Sequence, residues 1–87
     1  MTPEEIVAIR KSLGLTQADF ASLFDAHVMT ISKWERGIAS PSAYQMSLME
    51  QFKRTAAQQA AEAQTQVKQL LVGAGVIAAL VWLLTSR

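Results

Sequence analysis

The 87-residue chain has no cysteine and a single histidine, His27. That excludes a disulfide framework, a thiolate zinc site, a cysteine nucleophile and a His-rich metal cage. His27 has no nucleophile and carboxylate at triad spacing around it, so the sequence predicts no enzyme, no metal and no cofactor. Excess charge is also missing: eight Lys and Arg face seven Asp and Glu, leaving +1. No strongly basic composition points to a polyanionic partner, and any such reading must come from where the charges sit. Proline stands only at 3 and 41, and glycine is absent between Gly37 and Gly73. The length fits one small domain with an appendage, too little for a large enzyme.

What is present divides unevenly. Residues 1–54 hold six bases and six acids, residues 55–69 are rich in Ala and Gln, and Leu70 to Leu84 (LLVGAGVIAALVWLL) carry no polar side chain. The sequence therefore predicts three segments: a compact domain over 1–54, a helical linker over 55–69 and an apolar anchor over 70–87.

Local signals predict an all-α fold. Thr2-Pro3-Glu4-Glu5 is a capping box with Pro at the first helical position, and Ile6, Ile9 and Leu13 follow at helical spacing before Gly14. Thr16 can cap a second helix that turns Phe20 and Leu23 or Phe24 inward. Asp25 tolerates the following turn, and a third helix over about 27–36 offers Ile31 and Trp34 to the core before Gly37 ends it. Ser40-Pro41-Ser42 open a fourth element. With no breaker until Gly73, one helix is predicted from Ser42 into the tail, a rod of roughly 60 Å. Its stripe of Leu48, Met49, Phe52, Ala56, Ala63, Val67 and Leu70 can serve as core near the domain and as a dimer seam beyond it, weak because Gln59 and Gln66 fall on it; the alternative is a solvated Ala-rich helix.

The run Leu13-Gly14-Leu15-Thr16-Gln17-Ala18-Asp19-Phe20-Ala21, then Thr30-Ile31-Ser32-Lys33-Trp34-Glu35-Arg36-Gly37 and Ser40-Pro41-Ser42, closely resembles the lambda repressor/Cro-like helix-turn-helix family. The likeness covers roughly the first 54 residues. It implies double-stranded DNA as partner, phosphate contacts from Gln17 and Arg36, and a structural ion pair between Arg10 and Glu35. Helical geometry adds the base-facing candidates: if Ile31 and Trp34 face the core, then Val28, Met29, Ser32 and Lys33 lie outward. His27 is a candidate helix cap or phosphate contact. The chain departs from the family where Asp25 replaces the usual turn Gly and His27 the usual Ser or Thr cap.

The tail predicts a second element. Leu70, Leu71, Val76, Ile77, Leu80, Val81, Trp82, Leu83 and Leu84 form a candidate transmembrane segment, which reaches twenty residues when counted from Val67 to Ser86. Lys68 can snorkel at one end and Trp82 sit near the other interface. Lys53, Arg54 and Lys68 precede the span and Arg87 follows it, so the positive-inside rule places the helix-turn-helix on the cytoplasmic face, with membrane lipid as a partner. The alternatives are an oligomer core built from several tails, or a core helix folded back on the domain. Two functions are therefore expected to compete. One is a membrane-tethered, sequence-specific DNA-binding repressor acting as a homodimer or higher oligomer; the other is a membrane-anchored scaffold whose helix-turn-helix holds a protein partner.

Overall fold

Six α-helices and no strand occur among the residues described by the computed structural model, which are 1–58 and 60–85. Gln59, Ser86 and Arg87 lie outside them, as do the side chains of residues 60–64, Ala63 among them. The helices are α1 (Pro3–Ser12), α2 (Gln17–Leu23), α3 (Val28–Glu35), α4 (Ala43–Gln58), α5 (Ala60–Gly73) and α6 (Val76–Thr85).

Helices α1 and α2 start where short polar side chains can satisfy their orphan N–H groups. Thr2 caps α1 and Thr16 caps α2, each in a reciprocal box with the acid three residues on, Glu5 and Asp19. Gly14 and Gly37 leave α1 and α3 with φ of 70° and 73°, the left-handed region in which a Cβ is strained. Inward positions then meet at helical spacing: Ile6, Ile9 and Leu13 from α1, Phe20 and Leu23 from α2, Ile31 and Trp34 from α3, Met49 and Phe52 from α4. The Phe24 ring stands edge-on to Phe20 at 5.0 Å and to Trp34 at 5.5 Å, joining α2 to α3.

The single rod is corrected. An unbroken straight helix over 43–73 alone would measure about 46 Å, whereas the molecule is 31 Å along its longest axis. The chain also turns at Gly73-Ala74-Gly75. Gly75, at φ 101°, donates its N–H to Leu70 O at 2.7 Å, and its carbonyl accepts from Ala79 N at 3.2 Å, so one residue closes α5 and opens α6. Helix α6 packs on α2, α4 and α5.

That turn also corrects the spanning segment. Among the described residues no helix is long and apolar enough to cross a membrane. The tail instead enters the common core: Val67, Ala79 and Leu83 are buried there, and Leu70, Leu71, Leu80 and Trp82 pack partly against it. Val76 is half-buried, while Ile77, Val81 and Leu84 face outward. Burying a Val or Leu side chain stabilises by about 1.5 to 3 kcal/mol, which favours the folded-back arrangement over an extended one in water. The buried Thr55 hydroxyl donates to Leu83 O at 2.6 Å, so α4 also holds α6 by a satisfied polar contact.

Candidate nucleic-acid interface

Helices α2 and α3 are joined by a turn that one residue makes possible. Asp25 has φ 51°, and Ala26 N–H reaches back to Ala21 O at 3.0 Å. Asp is among the few non-glycine residues that visit this region readily, because its short carboxylate can bond locally. His27 follows as the cap of α3: its Nδ1 accepts the Met29 N–H at 3.0 Å, so the neutral ring carries its proton on Nε2.

The outward face of α3 follows from 100° of rotation per residue. With Ile31 and Trp34 buried, Met29, Ser32, Lys33 and Arg36 lie on the opposite side, and Val28 stands at its edge. Met29 and Lys33 are exposed, Val28 and Ser32 half-buried, His27 and Arg36 exposed. Arg36 folds back along the helix, its Nε donating to Ser32 O at 3.2 Å and to Ser32 Oγ at 3.1 Å. These are exposed contacts that compete with water, so a phosphate or base edge could replace them at small cost. The face offers an ammonium, a guanidinium, a hydroxyl and a thioether, the donors and apolar surface that read guanine edges, phosphates and thymine methyls.

A buried network sets the angle of that face. Glu35, at the end of α3, accepts from Arg10 Nε at 2.6 Å and Nη2 at 3.0 Å, and from Gln17 Nε2 at 3.0 Å. Arg10 Nη1 also donates to Leu15 O at 3.0 Å. One carboxylate thus ties α1, α2 and α3 together, with the two charged side chains only 14% and 8% exposed. Burial pushes the Glu35 carboxyl up, but the bonds from Arg10 and Gln17 and the charges of Arg10 and Lys11 outweigh it and hold it below its ordinary value. Gln17 is therefore a positioned side chain, with one amide hydrogen engaged and the second left for an outside acceptor.

Asp19 is paired from outside the helix-turn-helix. Lys68 of α5 forms an ion pair with it, and this bond more than offsets burial, so that with the Thr16 contacts the Asp19 carboxyl is held below its ordinary value. Both acids within α2 and α3 are thus matched by cations, Asp19 by Lys68 and Glu35 by Arg10. Lys33 and Arg36 have no acidic partner among the described residues, and Asp25 is the acid left in the turn. The zero net charge of residues 1–54 conceals this local bias. Neither the Gln17 to Glu35 bond nor the Asp19 to Lys68 pair was found from sequence, because no short-range spacing links positions 18 and 49 residues apart.

The geometry has an independent counterpart in sequence comparison. The family model described as helix-turn-helix matches residues 6–52, from α1 into α4 and across the whole network above. No curated protein matches the chain significantly, and no solved structure does. The match spans more than half of the chain and carries the two helices, their turn and the helices that support them; the chain belongs to the helix-turn-helix family, a family of DNA-binding regulators.

Proposed function

We propose that this protein is a sequence-specific binder of double-stranded DNA that acts as a small transcriptional repressor. The observation that carries the reading is the α3 face, where Met29, Ser32, Lys33 and Arg36 share one side of a helix whose angle Arg10, Gln17 and Glu35 fix. A helix of this diameter enters the major groove. Lys33 and Ser32 would meet base edges, Val28 and Met29 would pack on thymine methyls, and Gln17, His27 and Arg36 would hold phosphates on either side. Bound in this way over a promoter, the protein blocks access by occupancy and needs no catalysis. The apolar tail enters the reading as part of the bundle and not as a bilayer span.

Selection of bound duplexes from a random pool by the intact protein, followed by a salt titration on the enriched sequence, tests the proposal. An enriched site is expected, with affinity falling about tenfold or more between low and physiological salt, as counterion release dictates for several phosphate contacts. No enrichment and no salt-dependent binding would leave the scaffold reading, to which the zero net charge of residues 1–54 lends support.

A further inference from the structure

The helix-turn-helix is not basic by itself. Residues 16–37, from the cap of α2 to the end of α3, hold Asp19, Asp25 and Glu35 against Lys33 and Arg36, a net charge of −1. Two cations from outside, Arg10 and Lys68, pair with Glu35 and Asp19 and bring the unit to +1. Arg10 belongs to α1, whereas Lys68 belongs to the tail, beyond the helix-turn-helix match. Packing delivers it there: Val67 is fully buried in the core, so the return of α5, and not nearness in sequence, fixes Lys68 beside α2. Asp19 stands where its charge matters. Its Oδ2 accepts from Thr16 N–H at 3.4 Å, so the carboxylate lies at the same end of α2 as Gln17, the side chain read above as a phosphate contact. The carboxyl is held below its ordinary value, first by the Lys68 bond, and is ionised at neutral pH. A phosphate held by Gln17 would stand on the order of 10 Å away, about one Debye length at 0.1 M salt, near enough to feel an unmatched charge.

We infer that Lys68 is a positioning residue for DNA binding: acting through Asp19, it cancels the charge that this carboxylate would otherwise present to phosphate, so the folded-back tail is part of the binding device. The inference rests on the DNA-binding reading above and gives the tail a role in it. The competing role for the pair, docking the tail, is weaker on two grounds. The side chains of Lys68 and Asp19 are 43% and 26% exposed, and pairs this open to water add little to stability. The tail is also held without them, by the burial of Val67, Ala79 and Leu83 and by the bond from Thr55 to Leu83 O.

The two halves of the pair should act on affinity with opposite signs, and a structural bond would not. The pair is neutral in the wild type; Lys68→Ala leaves −1 there, Asp19→Asn leaves +1, and the double variant leaves 0. The test uses the full chain and fluorescence anisotropy on a selected duplex and on a shuffled one. At about 0.05 M salt Lys68→Ala should weaken binding about three- to tenfold on both duplexes alike, because a charge near phosphate reads no sequence. Asp19→Asn, which keeps an oxygen for Thr16 N–H, should bind more tightly than the wild type, and Lys68→Arg should bind like it. The double variant should return to within about twofold of the wild type. A double variant as weak as Lys68→Ala overturns the inference, since it marks Lys68 as a direct phosphate ligand or a mere tail dock. Asp19→Asn weaker than the wild type overturns it too, as does Lys68→Ala binding unchanged. Lys68→Gln, which keeps the stem and a neutral bond to Asp19, takes the place of Lys68→Ala if that variant loses its helical spectrum. A wild type that binds neither duplex overturns the function proposed above and this inference with it; a wild type that binds, with any of the contrary results, overturns this inference alone.

Discussion

Replacing Glu35 by Ala removes three hydrogen-bond acceptances at once and leaves the Arg10 guanidinium with Leu15 O as its one remaining partner. Losing one partner of a fully buried ion pair costs about 3 to 5 kcal/mol. Here the side chains keep 14% and 8% of their exposure, so water can partly solvate the orphaned cation and the expected cost is about 2 to 3 kcal/mol. For a domain of this size that lowers Tm by roughly 10 to 20 °C. Arg10→Ala should cost slightly less, because Glu35 retains Gln17 and can draw in water. Arg10→Lys should not rescue, since a point ammonium cannot occupy both carboxylate oxygens and the Leu15 carbonyl in the geometry of a planar fork. The double change Arg10→Ala with Glu35→Ala leaves no lone charge, so it should cost less than the sum of the singles by about 1 to 3 kcal/mol. Urea unfolding of the four proteins, followed by far-UV circular dichroism, closes the cycle. Strict additivity, or a Glu35→Ala cost below about 0.5 kcal/mol, the level of an exposed pair, would show that the network does not hold the helices.

On an enriched duplex, Lys33→Ala should cost about 1 to 3 kcal/mol and relax the preference at one base pair, while Arg36→Ala should weaken all sequences alike and flatten the salt slope; unchanged sequence ranking in Lys33→Ala refutes the base contact. The Asp19 and Glu35 carboxyls are both depressed when folded, so their stabilisation is complete above their ordinary values of 3.8 and 4.5 and is lost as pH falls through the lower folded ones. Urea midpoints measured from pH 6 down to pH 2.5 should therefore drop steeply below about pH 4, and Lys68→Ala should shrink the Asp19 share of that drop. Gly75→Val forces a β-branched residue to φ 101° and should destabilise by more than 1 kcal/mol, detected as a lower urea midpoint; an unchanged midpoint would mean that the α5 to α6 turn contributes nothing to folding.

The fold of the first half could be read in advance because its determinants are local. Thr2 with Glu5, and Thr16 with Asp19, act across three residues, Gly14 and Gly37 act on their own φ, and Ile31 with Trp34 mark a face by their spacing. The candidate base-facing side chains follow from that spacing alone. What holds them does not: Gln17 and Glu35 meet only because α2 and α3 cross at a particular angle, and that angle depends on how Phe24 wedges against Phe20 and Trp34. Asp19 could equally have been counted as a charge repelling phosphate. Its partner, Lys68, arrives from 49 residues away.

The tail shows why hydropathy alone does not determine a bilayer span. A run such as Leu70 to Leu84 satisfies a hydropathy count in either of two ways, as one long helix bathed in lipid or as two short ones sharing a core. The deciding residue is Gly75, which has little weight in such a count yet allows the reversal through its φ of 101°. Once the chain reverses, 15 apolar residues become the end of α5 and most of α6, and Ala79 and Leu83 find a surface on α4 that a separate 54-residue domain would have exposed.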